Sequence, residues 1–336
     1  MTKTERELWR LVDVTKALSA TREIDTILAS IADGVLSLLE ADMVAVVAHD
    51  ERRQPTLRLE RTANGKPPTG AFSRSLIDQV LQSGEPAFVL DTDLADASRS
   101  HSIQSLRLRT VVCAPLRSQG EVHGVLYAHS TNPLNAFTDL TRKLFLAFCD
   151  HASIAIDNAR LYAMSITDPM SRLYNHAYCL RRLDEELGRA RRYKRTVGFL
   201  LLDIDHFKQI NDRYGHRRGD AVIHAVANVL WATTRRSDIA ARYGGDEFAV
   251  VMPEIGEDDP ARQPSKIVAE RIRTSVGALT LDDLKLTGSV GIATYPIEGH
   301  YEETCWELVE RADRALYRAK ELGRDRVCVA TAEASR

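Results

Sequence analysis

The 336-residue sequence has no uninterrupted apolar run near the ~20 residues that a membrane-spanning helix needs. It also lacks a dominant charge: 45 Lys and Arg stand against 47 Asp and Glu, a formal net charge of −2. No global field therefore draws the chain to nucleic acid or anionic lipid. Cysteine is sparse and unpaired. Cys113, Cys149, Cys179, Cys305 and Cys328 are scattered, odd in number and never spaced as C-x-x-C. That pattern suits reduced thiols packing as small apolar groups and argues against a disulfide framework. The charged start, Met1 to Glu7, leads into no signal-peptide core. These absences predict a cytoplasmic protein without nucleic-acid or membrane partners.

What is present is ordinary globular material, 44% apolar and 27% charged, long enough for two domains. Residues 7–39 read as helix in two stretches broken near Ser19-Ala20-Thr21, which makes residues 1–21 a separate N-terminal helix. Met43–Ala48 suits a buried strand, and Thr56–Glu60 alternates like an exposed one. Leu76–Leu81 reads as helix, stopped by Ser83-Gly84 and Pro86. The clearest hairpin joins Thr110–Leu116 to Val122–Ala128 through Ser118-Gln119-Gly120. A long helix follows over 140–167. Phe145, Phe148, Ala152, Ala155, Ala159, Tyr162 and Ile166 recur along it at steps of 3 and 4, the period of a two-stranded coiled coil. Packing of the same stripe on its own domain is the alternative for the first half of that helix. For the second half a partner helix is the expected cover. Leu8, Leu11 and Leu18 have similar spacing and could extend a dimer surface.

Beyond Asp168-Pro169 the pattern changes. Helices are predicted over Tyr178–Tyr193, Ala221–Trp231, Ile267–Val276 and Leu308–Leu322, the last ending at Gly323. Strands are predicted over Val197–Asp203, Ile239–Arg242, Phe248–Met252, Leu286–Tyr295 and Val327–Val329. The alternation fits an α+β fold of the ferredoxin or polymerase-palm kind. Asp203 closes an apolar strand, with Asp205 two residues on, and Asp246 and Glu247 occupy a hairpin tip. Carboxylates converging from two strand ends suit Mg²⁺, which takes hard oxygen ligands and keeps phosphates among them. Gly244-Gly245 lets backbone approach a bulky ligand. Lys208, and Lys320 with Arg324 one helical turn apart, offer charge for phosphates. Taken singly, each element is a solvated hairpin or a surface lysine. Together they form a constellation.

The run Leu202-Asp-Ile-Asp-His-Phe-Lys-Gln-Ile-Asn-Asp-Arg-Tyr-Gly-His-Arg-Arg-Gly-Asp220, with Arg242-Tyr-Gly-Gly-Asp-Glu-Phe248, Ser289–Ala293 and Ala312–Arg324, resembles the GGDEF family of diguanylate cyclases over roughly 165–330. The resemblance implies condensation of two GTP into cyclic di-GMP and two pyrophosphates, in a homodimer whose halves each hold one GTP. It implies that Asp203, the Ile204 carbonyl and Asp246 hold Mg²⁺ or Mn²⁺, two ions per active site. Asp246, helped by Glu247, favours deprotonation of the attacking 3′-hydroxyl. Asn211 and Asp220 bond the guanine edge with His216 nearby, and Gly244 and Gly245 face the substrate. Phe207 and Lys208 meet the phosphates, and Lys320 and Arg324 the γ-phosphate. An acceptor carboxylate at Asp220 suits guanine over adenine; a related subset that makes mixed cyclic dinucleotides has Ser there. Arg235 and Asp238 stand where the family carries a product-inhibition site for cyclic di-GMP. One departure is Arg172, where the family's opening motif has a turn glycine.

The first half resembles a GAF domain over 22–163, through Val111–Leu116, Gly120, Val122–Leu126, Phe137-Thr-Asp139 and Ile154–Leu161. This implies an antiparallel-sheet sensor ending in the linker helix, a long coiled coil that joins it to the GGDEF domain at 168–332. A small-molecule ligand is implied as a GAF property, with its identity open. His101, His123, His129 and His151 read as ordinary histidines, and Cys113 as core. Two further readings stay open: a silent receptor for GTP or cyclic di-GMP, and a scaffold whose GAF domain recruits a partner.

Overall fold

The computed structural model describes residues 23–49, 54–65, 70, 72–89, 108–118, 120–132, 138–254, 264–281, 284–297 and 301–331. The helix expected over 1–21, with Leu8, Leu11 and Leu18, and His101 lie outside them. The chain forms two compact units that divide between Ala163 and Met164. No described helix is long and apolar enough to cross a membrane.

In the first unit, helix α1 (Ile24–Leu39) buries Ile27, Leu28, Ile31, Val35, Leu38 and Leu39, a stripe at steps of 3 and 4. Strands β1 (Met43–His49), β2 (Pro55–Thr62), β3 (Ala87–Val89), β4 (Thr110–Ser118) and β5 (Glu121–Ser130) form an antiparallel sheet ordered β2-β1-β5-β4-β3. Alternation along β1 sends Val44 and Val46 into one cluster with α1, and Met43, Ala45 and Val47 into another with helix α2 (Arg74–Ser83). The hairpin of β4 and β5 turns at Gly120, φ 87°, with Ser118 opposite Glu121. β2 is the mostly exposed edge that its alternation predicts.

Helix α3 (Asp139–Ile166) decides between the two readings of the first half of the seam. Phe145, Phe148, Ala152 and Ala159 are buried in the first unit's own core beside Ile31 and Val35. Tyr162 and Ile166, further along, are only part-buried. The large apolar residues left outward on α3 are Leu140, Ile154 (57% exposed), Leu161 (55%) and Met164 (65%), the last three following one another at steps of 7 and 3.

The second unit is a six-stranded sheet ordered β13-β12-β7-β9-β8-β6. Its strands are β6 (Tyr174–Asn175), β7 (Val197–Ile204), β8 (Ile239–Arg242), β9 (Glu247–Pro253), β12 (Gly288–Tyr295) and β13 (Val327–Val329), with a small separate pair, β10 (Thr280–Leu281) and β11 (Leu284–Lys285). Helices α4 (His176–Tyr193) and α8 (Cys305–Glu321) cover one face. Helices α5 (Phe207–Tyr214), α6 (His216–Thr233) and α7 (Pro264–Gly277) cover the other. β7 is apolar throughout because it is buried on both sides: Val197, Phe199 and Leu201 enter one cluster, Leu200, Leu202 and Ile204 the other. The glycine in β12 has a packing reason. A Cβ on Gly291 would collide with the backbone of Ala312 and Leu316 in α8, so this strand and helix meet at backbone distance. The helix expected from Ala221 starts at His216 instead, and a separate short helix, α5, precedes it across Gly215, φ 83°. Eight residues give too few turns for a periodic signal.

Candidate active site

Pairing of β7 with β9 sets Asp203 opposite Glu247. The turn between β8 and β9 folds back so that Ile204 N donates to Asp246 O at 3.3 Å, and Tyr243 N and Gly244 N both donate to Glu247 O, at 2.8 and 3.2 Å. A Cβ on Gly244 would lie 3.0 Å from Glu247 Oε2. Asp203, Asp246 and Glu247 thus gather at one end of the sheet. Asp203 is 13% exposed at its side chain and receives Lys320 Nζ on Oδ2 at 2.7 Å. Burial raises its carboxyl above the ordinary value, Lys320 opposes the shift, and the negative charges of Asp246 and Asp205 add to it. Burial likewise raises Glu247, reinforced by Asp203. Crowded, part-buried carboxylates are a hard-oxygen donor set whose repulsion a divalent cation would relieve. In the chain by itself Lys320 serves that need, and among the described residues no three acidic, His or Cys groups stand at metal-ligating spacing.

Two predicted residues fall elsewhere. Asp205 is 5% exposed and directed away from this cluster, accepting from Thr287 Oγ1 and Ser289 Oγ, each at 2.7 Å, and from Asp325 N at 3.1 Å. It lies past the end of β7, so the strand's two-residue period does not carry to it. Arg324 is not on the helix of Lys320. α8 ends at Glu321, and Arg324 follows Gly323 with φ 62° and an exposed side chain. The Schellman bonds Gly323 N to Lys320 O (3.3 Å) and Arg324 N to Ala319 O (3.0 Å) close the helix.

The residues expected from the sequence to meet the base lie on either side of Gly215. Asn211 on α5 buries its Oδ1 with no hydrogen-bond partner among the described residues. A Cβ on Gly219 of α6 would collide with that oxygen and lie 3.1 Å from the Phe207 ring. Glycine here lets the Asn211 amide close against the α6 backbone, with Asp220 the next residue and half-buried. The Phe207 ring packs on the core, while α5 begins at Phe207 and so leaves its first amides without intrahelical acceptors. Lys208 and His216 are exposed. Arg235 and Asp238 close a turn: Arg235 N donates to Asp238 Oδ2 at 2.8 Å and Asp238 N to Arg235 O at 3.0 Å, which leaves the Arg235 side chain in solvent.

A link that sequence reasoning missed joins Asp168 to the catalytic turn. Arg242 Nη1 reaches Asp168 Oδ1 and Oδ2 at 3.2 and 3.3 Å, while its Nε and Nη2 donate to Gly245 O at 3.1 and 2.7 Å. Asp168 Oδ1 also accepts from Ser171 N and Oγ at 2.7 and 2.8 Å. Burial alone would raise the Asp168 carboxyl; the Ser171 and Arg242 bonds outweigh it and hold the group below its ordinary value. Both residues lie inside motif blocks visible in the sequence, but nothing in spacing pairs them across 74 positions. Arg172, in the same turn, takes φ 59°, the conformation for which a glycine is suited.

Residues 165–326 match the family profile described as "Diguanylate cyclase, GGDEF domain", and residues 23–156 match the GAF domain profile. Diguanylate cyclase VdcA of Vibrio cholerae is 32% identical over 264 residues, 77% of this chain and 72% of that protein. Diguanylate cyclase A of Treponema denticola is 36% identical over 221 residues, 63% of this chain and 57% of that protein's length. Among solved structures, the coiled coil and GGDEF domain of DgcB from Caulobacter crescentus, in complex with c-di-GMP, aligns at TM-score 0.51 and 30% identity, covering 57% of this chain and 100% of that one. With its Gly244–Phe248 turn intact and a GAF domain ahead of it, the chain belongs to the GGDEF diguanylate cyclase family.

Proposed function

We propose that the protein condenses two GTP into cyclic di-GMP and two pyrophosphates. The observation that carries this reading is the pairing of Asp203 with Glu247, which brings the acids of the glycine turn to the end of the strand bearing Asp203. Asp203, the Ile204 carbonyl and Asp246 would hold Mg²⁺ or Mn²⁺, two ions per site, whose charge neutralises that developing on the phosphates. Asn211 Oδ1 accepts a hydrogen bond from guanine, and Asp220 accepts from the base's N1–H and amino group, an edge adenine cannot offer. Gly244 and Gly245 admit the nucleotide at backbone distance. The first amides of α5, from Phe207 and Lys208, and the Lys208 ammonium face the phosphates, with His216 near the base.

Lys320 has two partners in sequence: Asp203 in the empty site, and the γ-phosphate in the loaded one, where Arg324 joins it. Asp246 draws the proton from the 3′-hydroxyl oxygen, and Glu247, its carboxyl raised by burial, supports that transfer. The freed 3′-oxygen attacks the partner nucleotide's α-phosphorus, and the bond to the bridging oxygen of pyrophosphate breaks. Each half-site presents one GTP, so the working form is a homodimer. The outward apolar residues Ile154, Leu161 and Met164 on the second half of α3 support a partner helix there. The GAF domain, binding a small molecule, would set how the two copies meet. Arg235, exposed beside the turn that Asp238 closes, would grip cyclic di-GMP together with Asp238 for product inhibition. Five free cysteines suit a reducing, cytoplasmic compartment.

The test is to strip bound cyclic di-GMP with a phosphodiesterase, incubate the full chain with GTP and Mg²⁺, and resolve the products by chromatography and mass. Cyclic di-GMP and pyrophosphate in a 1:2 ratio are expected; GTP left unchanged after stripping would refute the enzyme reading.

A further inference from the structure

Asp205 is the one buried carboxylate at this sheet end that the proposed chemistry leaves unused. Both its oxygens are engaged, and every donor is uncharged: Thr287 Oγ1 and Asp325 N on Oδ2, Ser289 Oγ on Oδ1. Its own amide donates to Thr287 O at 3.0 Å. A buried carboxylate without a cation is retained only where its donors are held in place. Here the donors come from two segments, the start of β12 and the turn after α8, and Asp205 itself sits two residues from Asp203. The charge thus ties three pieces of backbone together at the end of β7.

The turn it holds is strained. Arg324 and Asp325 have φ values of 62° and 43°, left-handed for non-glycine residues, a conformation that costs each about 1–2 kcal/mol. It is fixed on both sides. Arg324 N is bound to Ala319 O, Asp325 N to Asp205, and Asp325 Oδ1 receives Arg273 Nη1 at 2.6 Å. Lys320 belongs to the same closure, since its carbonyl accepts from Gly323 N. Without the bond to Asp205, the amide after Arg324 would lose its acceptor, and the arginine would be free to leave the left-handed region.

We infer that Asp205 is a positioning residue that locks the Lys320–Arg324 turn to the end of β7, so that both cations face the γ-phosphate of a nucleotide held at Asp203. The inference rests on the reading of Lys320 and Arg324 as phosphate ligands. Its signature is discrimination between triphosphate and diphosphate, a property that a merely structural carboxylate would not govern.

The experiment measures binding of a non-hydrolysable GTP analogue and of GDP to the full chain, with melting temperature recorded for each variant. Asp205→Asn keeps the shape but replaces one acceptor oxygen by a donor. It is expected to weaken the analogue about tenfold, the worth of one charge-assisted hydrogen bond, and GDP by less than about twofold. Arg324→Ala lowers the same ratio, and adding Asp205→Asn to it changes the ratio little further, because the two act in series. Thr287→Val removes one donor, leaves the carboxylate, and gives a smaller loss in the same direction. An unchanged ratio in Asp205→Asn with a lowered melting temperature would make Asp205 a structural anchor and overturn the inference, as would additive effects with Arg324→Ala. If Asp205→Asn does not fold, Thr287→Val decides alone, an unchanged ratio again counting against. Failure of the wild-type chain to turn over GTP would instead strike the reading of the site, which the analogue-to-GDP ratio does not measure.

Discussion

Each unit buries an uncharged side-chain atom that has no hydrogen-bond partner among the described residues: Nδ1 of His129 in the first and Oδ1 of Asn211 in the second. The settings differ. His129 lies on a sheet face between Met43 and Val111 on the neighbouring strands, edge-on to the Tyr127 ring at 5.8 Å. Burial lowers its pKa, against the opposing influence of Asp42 and Glu60, so the ring is held neutral. Asn211 lies at a helix junction, its oxygen packed against the backbone of Gly219. An unpaired buried group costs about 1–3 kcal/mol wherever it sits. A strand end or helix junction adjoins turns, which can bring a lysine to Asp203, an arginine to Gly245 and a ligand to Asn211. His129 is also near a strand end, second from last in β5, but its neighbours there are Met43, Val111 and the Tyr127 ring, none of which offers its Nδ1 a hydrogen bond. The lesson is that most of the second unit's polar groups at this sheet end are completed by the chain itself, with Asn211 Oδ1 left over among the described residues. His129 shows that burial without a partner is not by itself enough to name a ligand.

The sharpest test of that contrast is Asp246→Ala. Its side chain is half-buried on a turn, so melting should move by less than about 0.5 kcal/mol. Turnover of GTP should fall at least about a thousandfold, equivalent to about 4 kcal/mol of transition-state stabilisation. A variant that keeps a tenth of the activity would put the proton-accepting role elsewhere. Next come the two orphaned atoms. Asn211→Leu and His129→Leu each replace an unsatisfied polar group by an apolar one of similar size, and each should stabilise its unit by about 1 kcal/mol in calorimetry. The functional consequences should diverge. Asn211→Leu should weaken GTP binding at least about a hundredfold, since a site built to bond a base is left without its acceptor. His129→Leu should leave GTP affinity unchanged, and equal losses in both variants would break the comparison.

The catalytic turn was legible because its signals are local. Two glycines and two acids stand between apolar strands, and the preceding run from Val197 is apolar enough to be buried on both faces. The GAF hairpin was legible for the same reason. What failed depended on context beyond a few residues. The stripe from Phe145 to Ile166 left two readings open, because coiled coils and core-facing helices share its spacing and over so few turns periods of 3.5 and 3.6 do not separate. Asp205 stands two residues after Asp203, yet β7 stops at Ile204 and the two carboxylates part. Lys320 and Arg324 were spaced as neighbours on a helix that the glycine between them ends. The Asp168–Arg242–Gly245 chain joins residues that only the folded sheet brings together.

Among the variants expected to lose turnover, one in that chain loses the least, and it has a pH signature of its own. Asp168 is held below its ordinary value, so its ionised form is favoured by folding. Its contribution to stability is therefore fully present above the unfolded carboxyl pKa of about 3.9 and is lost as pH falls through the lower folded value. Asp168→Asn should destabilise the protein at pH 7 by about 1–3 kcal/mol, because Arg242 and the Ser171 amide lose a charged acceptor. As the pH is lowered below about 4 the wild type should lose this advantage and the two melting curves should converge. Turnover near neutral pH should fall only modestly, since Arg242 still reaches Gly245 O from the other side of its guanidinium. If the difference between wild type and variant were the same at pH 3 as at pH 7, the carboxylate's charge would not be what holds the turn, and Arg242 would be anchored by Gly245 alone.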